Sequence, residues 1–583
     1  MSHNRRIIRW LGAGIAVLWP FATGMHAAWA QAAPNLSAVP TGSPLPRILP
    51  PVVPNVQPGL IAPVPHPLQT PLPGVAVQVN SAALLGVTVY PPGHFDKLIA
   101  DLKGSVLETR IEEVRNAILA EYRADGYVFT AVSATLEDGG RLMFRATEGH
   151  IVEVKLDGNI GPAGVQVLRF LNHLVEAGPI NVSTLERWLL LAQDVPGVTL
   201  RTVLRPSTDD PGALSLVAQV TRRKFSGIAT ADNRGYSGTG PEEALVSISA
   251  NSFTEYGEHT DATIFYTARS TEVFGQVATE FFLGASGLKL KVYGGRGTTD
   301  PTGALGQIGY HGDTFIAGTQ FTYPVYRVRQ QSLNVTANFD LLDGSVYTGA
   351  NTVQVLASRD DLRVLRAGVD YALRDVVLGG DRSAITTADV QLSQGLNGLG
   401  ASPQGSALAG RVGERLDFTK ISFEASRTQT LFSPWQDASI AIQPTLAGQY
   451  TQDVLPSAEK FFLGGLRFDR GFYSGEITGD RALTAALELQ LNTGFPIDAF
   501  DDKFDINAQF YSFYDWGEAW QAQKSDPNGR LASSGLGVRL YFPKAIEVDV
   551  EGVDRLTRRP LGTTGQTSEL PGTGAYWRLI SHF

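Results

Sequence analysis

The chain contains no cysteine in 583 residues, which rules out a disulfide framework and any thiolate metal or redox centre. It also lacks a basic excess. Its 48 Lys and Arg stand against 57 Asp and Glu, so nucleic acid is not expected as a partner. Beyond the N-terminal region no segment reaches the ~18 uninterrupted apolar residues of a membrane helix. Enzyme signatures are missing as well: there is no Gly-x-Ser-x-Gly elbow, and none of the nine histidines stands in His-x-x-x-His spacing. His150, His173, His259 and His311 are scattered and read as structural or solvated. Neither an enzyme, a metal nor a cofactor is expected.

What is present begins with export. In residues 1–30, Arg5, Arg6 and Arg9 form a charged start, Trp10 to Phe21 an apolar run, and Ala28-Trp29-Ala30 a small-residue cleavage site, the pattern of a secretory signal. Residues 34–74 hold 13 of the 33 prolines. Proline fixes φ and has no amide donor, so 31–74 reads as a semi-rigid, polyproline-type periplasmic spacer without helix or central strand.

Two α/β modules follow, 75–150 and 151–223. In the first, Ala76–Asn80 and Gly86–Tyr90 are strand-like. Leu107, Ile111, Val114, Ile118 and Tyr122 mark one helix face that Gly126 terminates. Tyr127–Leu136 and Arg141–Ala146 read as a hairpin around Asp138-Gly139-Gly140. The second module opens on a strand from Ile151. Its first helix carries Val165, Leu168, Leu171 and Val175, and its second starts at the capping box Ser183-Thr184-Leu185-Glu186. Thr199–Leu204 and Leu214–Val220 close it as strands.

From residue 224 to 583 period-two alternation replaces helical periodicity. Leu333, Val335, Ala337, Phe339 and Leu341 alternate with Ser332, Asn334, Thr336, Asn338 and Asp340. Leu365, Ala367, Val369, Tyr371 and Leu373 alternate with Arg366, Gly368, Asp370, Ala372 and Arg374. Ile546, Val548 and Val550 alternate with Glu547, Asp549 and Glu551. A sandwich this long would need several cores, and no linker divides the region. One closed antiparallel barrel with its apolar face to lipid needs none, and only helices and closed barrels cross a bilayer. Division into about 16 strands leaves roughly 22 residues per strand and turn, suited to membrane strands with longer outer loops. The last strand, AYWRLISHF, ends on Phe583 and resembles the C-terminal assembly signal of outer-membrane barrels.

One stretch, Phe461 to Arg481, is too long and glycine-rich for a strand, yet strands flank it. It carries Asp469 and Arg470 among Phe468, Phe472 and Tyr473. Some 35 residues later, counting by twos from Asp515 gives Phe513, Tyr511, Gln509 and Asn507, the more polar set. Asp515 therefore points into the lumen, and the expected contact is an enclosed Arg470–Asp515 pair.

These residues carry a resemblance. AILAEYRADGYVFTAV, EGHIVEVKLDGN, Asp232-Asn233-Arg234-Gly235, TYPVYRVRQQSLNVTANFDLL and above all GGLRFDRGF with FYDWG resemble the TpsB transporters of two-partner secretion, within the BamA-like superfamily. The resemblance implies two periplasmic POTRA domains before a 16-stranded barrel in the outer membrane of a Gram-negative bacterium. It implies a lumen-folded sixth loop bearing Gly464, Gly465, Asp469, Arg470, Gly471 and Phe472, facing the wall motif Phe513, Asp515 and Gly517. The implied partners are a large secreted TpsA-type adhesin, haemolysin or toxin, outer-membrane lipid and the barrel assembly machinery. The POTRA domains would catch the unfolded partner, which would pass through the barrel as the loop shifts. Asp469 departs from the family's valine and Phe472 from its tyrosine. Many relatives carry a plug helix, which the prolines argue against here. Alternatives are a BamA-like insertase, which usually has more POTRA domains, and a passive porin, which needs none.

Overall fold

The computed structural model describes residues 39, 42–50, 54–58, 74–207, 210–349, 353–499, 502–524, 526–543, 545–560 and 569–583. The export signal read in 1–30 lies outside them. Residues 225–582 form a closed barrel of sixteen strands. The first four are β1 (Phe225–Asp232), β2 (Glu243–Asn251), β3 (His259–Thr267) and β4 (Glu272–Phe282). Next come β5 (Lys289–Thr299), β6 (His311–Arg327), β7 (Gln331–Thr348) and β8 (Val355–Asp375). Then follow β9 (Ala384–Gly395), β10 (Thr419–Phe432), β11 (Ser439–Thr451) and β12 (Arg481–Ala499). The circuit ends with β13 (Asp502–Trp520), β14 (Gly529–Phe542), β15 (Ile546–Arg555) and β16 (Thr573–His582). Every neighbour is antiparallel, and β16 closes on β1 through only five residue pairs, Arg578–Asp232 to His582–Ile228.

Alternation sets the two faces. Val335, Leu365, Val369, Leu487, Tyr514 and Trp577 are exposed on the outside, the apolar band a bilayer requires. Their neighbours turn inward: Arg366 Nε donates to Asp340 in the lumen at 2.6 Å.

The two modules stand before β1. In the first, the parallel pair Ser81–Leu85 and Arg141–Thr147 is joined by Ala131–Glu137, and Ala76–Val79 pairs with Gly104–Leu107. The helix Glu108–Ala124 buries Ile111, Val114, Ile118 and Tyr122 against Leu142 and Phe144. The expected strand Gly86–Tyr90 is instead displaced to Ser81–Leu85. Gly86 ends it because φ is +83° and an added Cβ would lie 2.2 Å from the Ala146 carbonyl oxygen. In the second module the strands His150–Asp157, Ala213–Arg222 and Val198–Pro206 back the helices Ala163–Leu171 and Val182–Gln193. The expected capping box does not form. Asn181 is the N-cap, its Oδ1 accepting from Ser183 N at 3.0 Å, while Glu186 turns to the barrel and accepts from Arg329 N.

Glu148 ties the stretch after Gly86 to the helix within the first module. It accepts from Tyr122 Oη at 2.6 Å, from the amides of Thr88 and Val89, and from the Thr88 hydroxyl. Burial, the largest influence, pushes its pKa up, but these donors outweigh it and hold the carboxyl below its ordinary value. The folded pKa is depressed, so the stabilisation is complete above the unfolded value of ~4.3 and lost as pH falls through the folded one. Glu148→Ala is expected to cost on the order of 3 kcal/mol by stranding buried donors. Protection of the Thr88 and Val89 amides from hydrogen exchange should fall as pH drops through the depressed Glu148 pKa in the native chain, while Glu148→Gln should flatten that dependence.

The proline-rich stretch departs from the expected periplasmic spacer. Val39 packs with Tyr236, Leu305 and Tyr310, at the end of the barrel away from the modules. Leu45 and Ile48 pack in the lumen on Leu245, Phe265, Phe274 and Ile316. Gln57 N donates to Arg329 O at the β6–β7 turn beside the second module. The chain therefore threads the barrel end to end. It even holds one helical turn, Leu45–Ile48, because Pro44 is its N-cap and Pro46 lies in the first turn, where the missing amide goes unused.

Candidate functional site: the occupied lumen

The loop between β11 and β12 enters the lumen as a short hairpin, Phe461–Leu463 pairing with Ile477–Gly479. Gly464 (φ +96°) and Gly465 (φ +106°) make the turn inward, a backbone region that side chains disfavour. At the tip Arg470 meets Asp515 on β13. The Asp515 carboxylate accepts from Arg470 N (2.9 Å), Nε (3.0 Å) and Nη2 (2.9 Å) and is fully buried. The guanidinium stacks 3.9 Å from the centroid of Phe513.

Arg470 has a second carboxylate partner, Glu488 on β12. Glu488 also accepts from Arg539 Nη1 at 2.7 Å, and Arg539 reaches Asp549 at 3.3 Å. Tyr511 Oη joins Asp549 to Glu551, which pairs with Arg234 at 2.7 Å. One charge-alternating network thus runs across β12 to β15 to the residue pair that follows β1. Sequence reasoning missed Glu488, Arg539 and the pairing of Arg234. Glu488, Gln490 and Asn492 alternate with Leu487, Leu489 and Leu491, so the inward position of Glu488 was open to the same count by twos that oriented Asp515.

The remaining motif residues are placed around this contact. Gly471 N donates to Ser533 Oγ (3.2 Å), and its carbonyl accepts from Arg555 Nε (2.6 Å) and Tyr576 Oη (3.0 Å). Phe472 is buried on Leu463, Ile477, Ala519 and Leu531, an apolar setting with no need of a hydroxyl. Asp469 sits at φ +53° with its carboxylate against Gly517, one inward position beyond Asp515, and accepts from Thr484 Oγ1 at 3.3 Å. A Cβ at Gly517 would lie 2.3 Å from Asp469 Oδ2. Gly517→Ala is therefore expected to cost about 1–3 kcal/mol by overpacking. Asp469→Gly in the same chain should relieve the clash and suit the positive φ, a rescue measurable as recovered resistance to urea. Phe583 lies apart from the loop: its backbone extends the β16–β1 ladder to Gly227.

Two further ion networks hold the loop's base. Glu459 accepts from Arg366 Nη2 (2.6 Å) on β8 and pairs with Lys420 Nζ (2.7 Å) on β10. Asp480 pairs with Arg411 at 2.7 Å. The proline-rich segment is held differently. Across 31–74 its one Lys, Arg, Asp or Glu residue is Arg47. Arg47 Nη2 donates to Glu272 at 2.6 Å, Nε lies 3.7 Å from Glu243, and the guanidinium faces Phe265 at 5.3 Å. A cavity of about 780 Å³ remains beside the segment, bordered by Pro46, Asn55, Asp370, Asp389 and Arg467.

Comparison with known proteins agrees with this architecture. The family model of the haemolysin secretion/activation proteins ShlB/FhaC/HecB matches residues 213–540. The heme/hemopexin transporter protein HuxB of Haemophilus influenzae is 21% identical over 463 residues, covering 76% of each chain. The solved structure of CdiB from Escherichia coli superposes with a TM-score of 0.69 at 17% identity, covering 91% of this chain and 94% of that one. CdiB from Acinetobacter baumannii gives 0.59 at 16% identity, with 95% of each chain covered. The chain belongs to the ShlB/FhaC/HecB family, outer-membrane barrels with periplasmic POTRA domains that serve two-partner secretion and are transporters rather than enzymes.

Proposed function

We propose that this chain captures one large exported partner through its POTRA domains, in extended form, and passes it through the barrel to the cell surface. The observation that carries this reading is a lumen filled by two segments of unlike anchorage. The loop is tied by three ion networks and by hydrogen bonds to four consecutive strands, β13 to β16, through Asp515, Ser533, Arg555 and Tyr576. The proline-rich segment carries a single ion-pairing group. The segment therefore leaves to open the path, and the loop stays as a fixed wall element. A filled lumen does not suit a diffusion porin.

Capture by edge-strand addition fits the modules. Val198–Pro206 is an outer strand of its sheet with Thr199, Arg201, Val203 and Arg205 exposed, and backbone pairing there makes little demand on the partner's sequence. The partner's own folding outside would supply direction. The test is to delete residues 75–221, which removes both modules and the edge strand Val198–Pro206, and follow partner export together with the levels of unrelated outer-membrane barrels. Export should fall to background with those levels unchanged. Undiminished export would remove the capture role, and a general loss of barrels would favour the insertase reading.

A further inference from the structure

Besides the side-chain anchors Arg47, Leu45 and Ile48, the segment in the lumen is held through its backbone. Six of the residues from 44 to 58 are proline, which accept at their carbonyls and donate nothing. Three arginines of the barrel meet three of the segment's carbonyls. Arg578 Nη2 on β16 donates to Ile48 O at 3.0 Å, Arg327 Nη1 at the end of β6 to Asn55 O at 3.0 Å, and Arg329 Nε in the next turn to Pro58 O at 3.0 Å. All three of these acceptors are backbone carbonyls, although Arg329 Nη2 also donates to the Gln57 side-chain Oε1 at 3.1 Å.

The arginines are also prepared for this task. Arg327 is oriented by a bidentate pair with Asp194 of the second module, Nε to Oδ2 at 3.0 Å and Nη2 to Oδ1 at 2.9 Å, which leaves Nη1 free to meet the carbonyl. Arg578 keeps a buried Nε with no hydrogen-bond partner among the described residues, a spare donor beside the segment.

We infer that Arg578, Arg327 and Arg329 form a sequence-tolerant track for the backbone carbonyls of an extended polypeptide, which residues 42–50 and 54–58 and the secreted chain occupy in turn. The inference rests on the secretion reading above and assigns the path that reading requires. A passing chain of any sequence offers carbonyls, and single charge-assisted hydrogen bonds are individually weak enough to exchange as it advances. The track thereby makes the chain's own segment and its cargo competitive ligands.

A dye-labelled poly-L-proline decamer, which presents carbonyls and no polar side chain, is the probe. Its binding is read by fluorescence anisotropy to the detergent-solubilised full chain carrying Arg47→Glu, which unseats the segment, with the intact chain as the occupied control. Binding should be at least tenfold tighter to the Arg47→Glu chain than to the intact one. Adding Arg329→Met or Arg578→Met should weaken it at least tenfold, with lysine at either position intermediate. Native-like heat-modified mobility in gels checks that each barrel is folded, and Arg329, in the half-buried turn after β6, provides a variant outside the barrel strands. Equal binding to occupied and unseated chains, no binding to either, or binding indifferent to both arginines would overturn the track. Partner export is not read here, so failure of the track and failure of the secretion reading are separately visible.

Discussion

Arg470→Ala is expected to destabilise the barrel by about 3–5 kcal/mol and to abolish partner export, the largest single-residue effect in the chain. The physical reason is what it leaves behind. Asp515 is fully buried and accepts three hydrogen bonds from Arg470, with the Asp469 carboxylate as its near neighbour. Removing the guanidinium strands one carboxylate next to another. Asp515→Ala should cost less, about 3 kcal/mol at most, because Arg470 keeps Glu488. The double variant should recover part of the loss of Arg470→Ala, giving a coupling of roughly 2 kcal/mol in a double-mutant cycle. Urea unfolding of the liposome-inserted barrel measures stability, and surface appearance of the partner measures export. Additive losses would mean that the two residues act separately.

The second large effect concerns the segment. Arg47→Glu should raise the resting conductance of the purified chain in planar bilayers, because the seat it occupies is acidic. Breaking the pair with Glu272 costs about 3–5 kcal/mol, and a carboxylate beside Glu272 and Glu243 adds repulsion. The apolar anchors Leu45 and Ile48 contribute roughly 1.5–3 kcal/mol each, so the charge reversal offsets most of the seating energy. Occupancy should therefore fall by about two to four decades, at 1.4 kcal/mol per decade. Arg47→Met, which keeps the apolar stem, should open the channel less. A variant as closed as the native chain would show that the segment is held by packing alone.

Much of this was legible before the fold was known, for reasons that differ by element. The barrel was legible because a membrane strand has one lipid face, so apolar and polar residues alternate over residues 332–341, 365–374 and 546–551 of β7, β8 and β15. Asp515 was legible by the same parity. Glu488 obeys that parity too, but its link to Arg470 joins a loop tip to a strand 18 residues later, and no local pattern announces it. Gly86 shows a second kind of limit. Its positive φ and close contact with Ala146 are tertiary facts, and they moved a strand by five residues. The proline-rich segment shows a third. Proline excludes a helix interior but not a first turn, and composition does not say whether an extended chain lies beside a barrel or inside it. Asp469 gained a definite place as well: it fits because Gly517 leaves room, which ties the loop's departure from the family's valine to the wall motif opposite.

The most direct test of the account locks the segment in place. With no native cysteine, thiols introduced at Ile48 and Ile316, neighbours in one apolar cluster, are the only ones in the chain. Bridging them with a cleavable cross-linker in cells should stop partner export, and reduction should restore it. Export continuing at its usual rate with the segment tethered would contradict the claim that the secreted chain takes the segment's place.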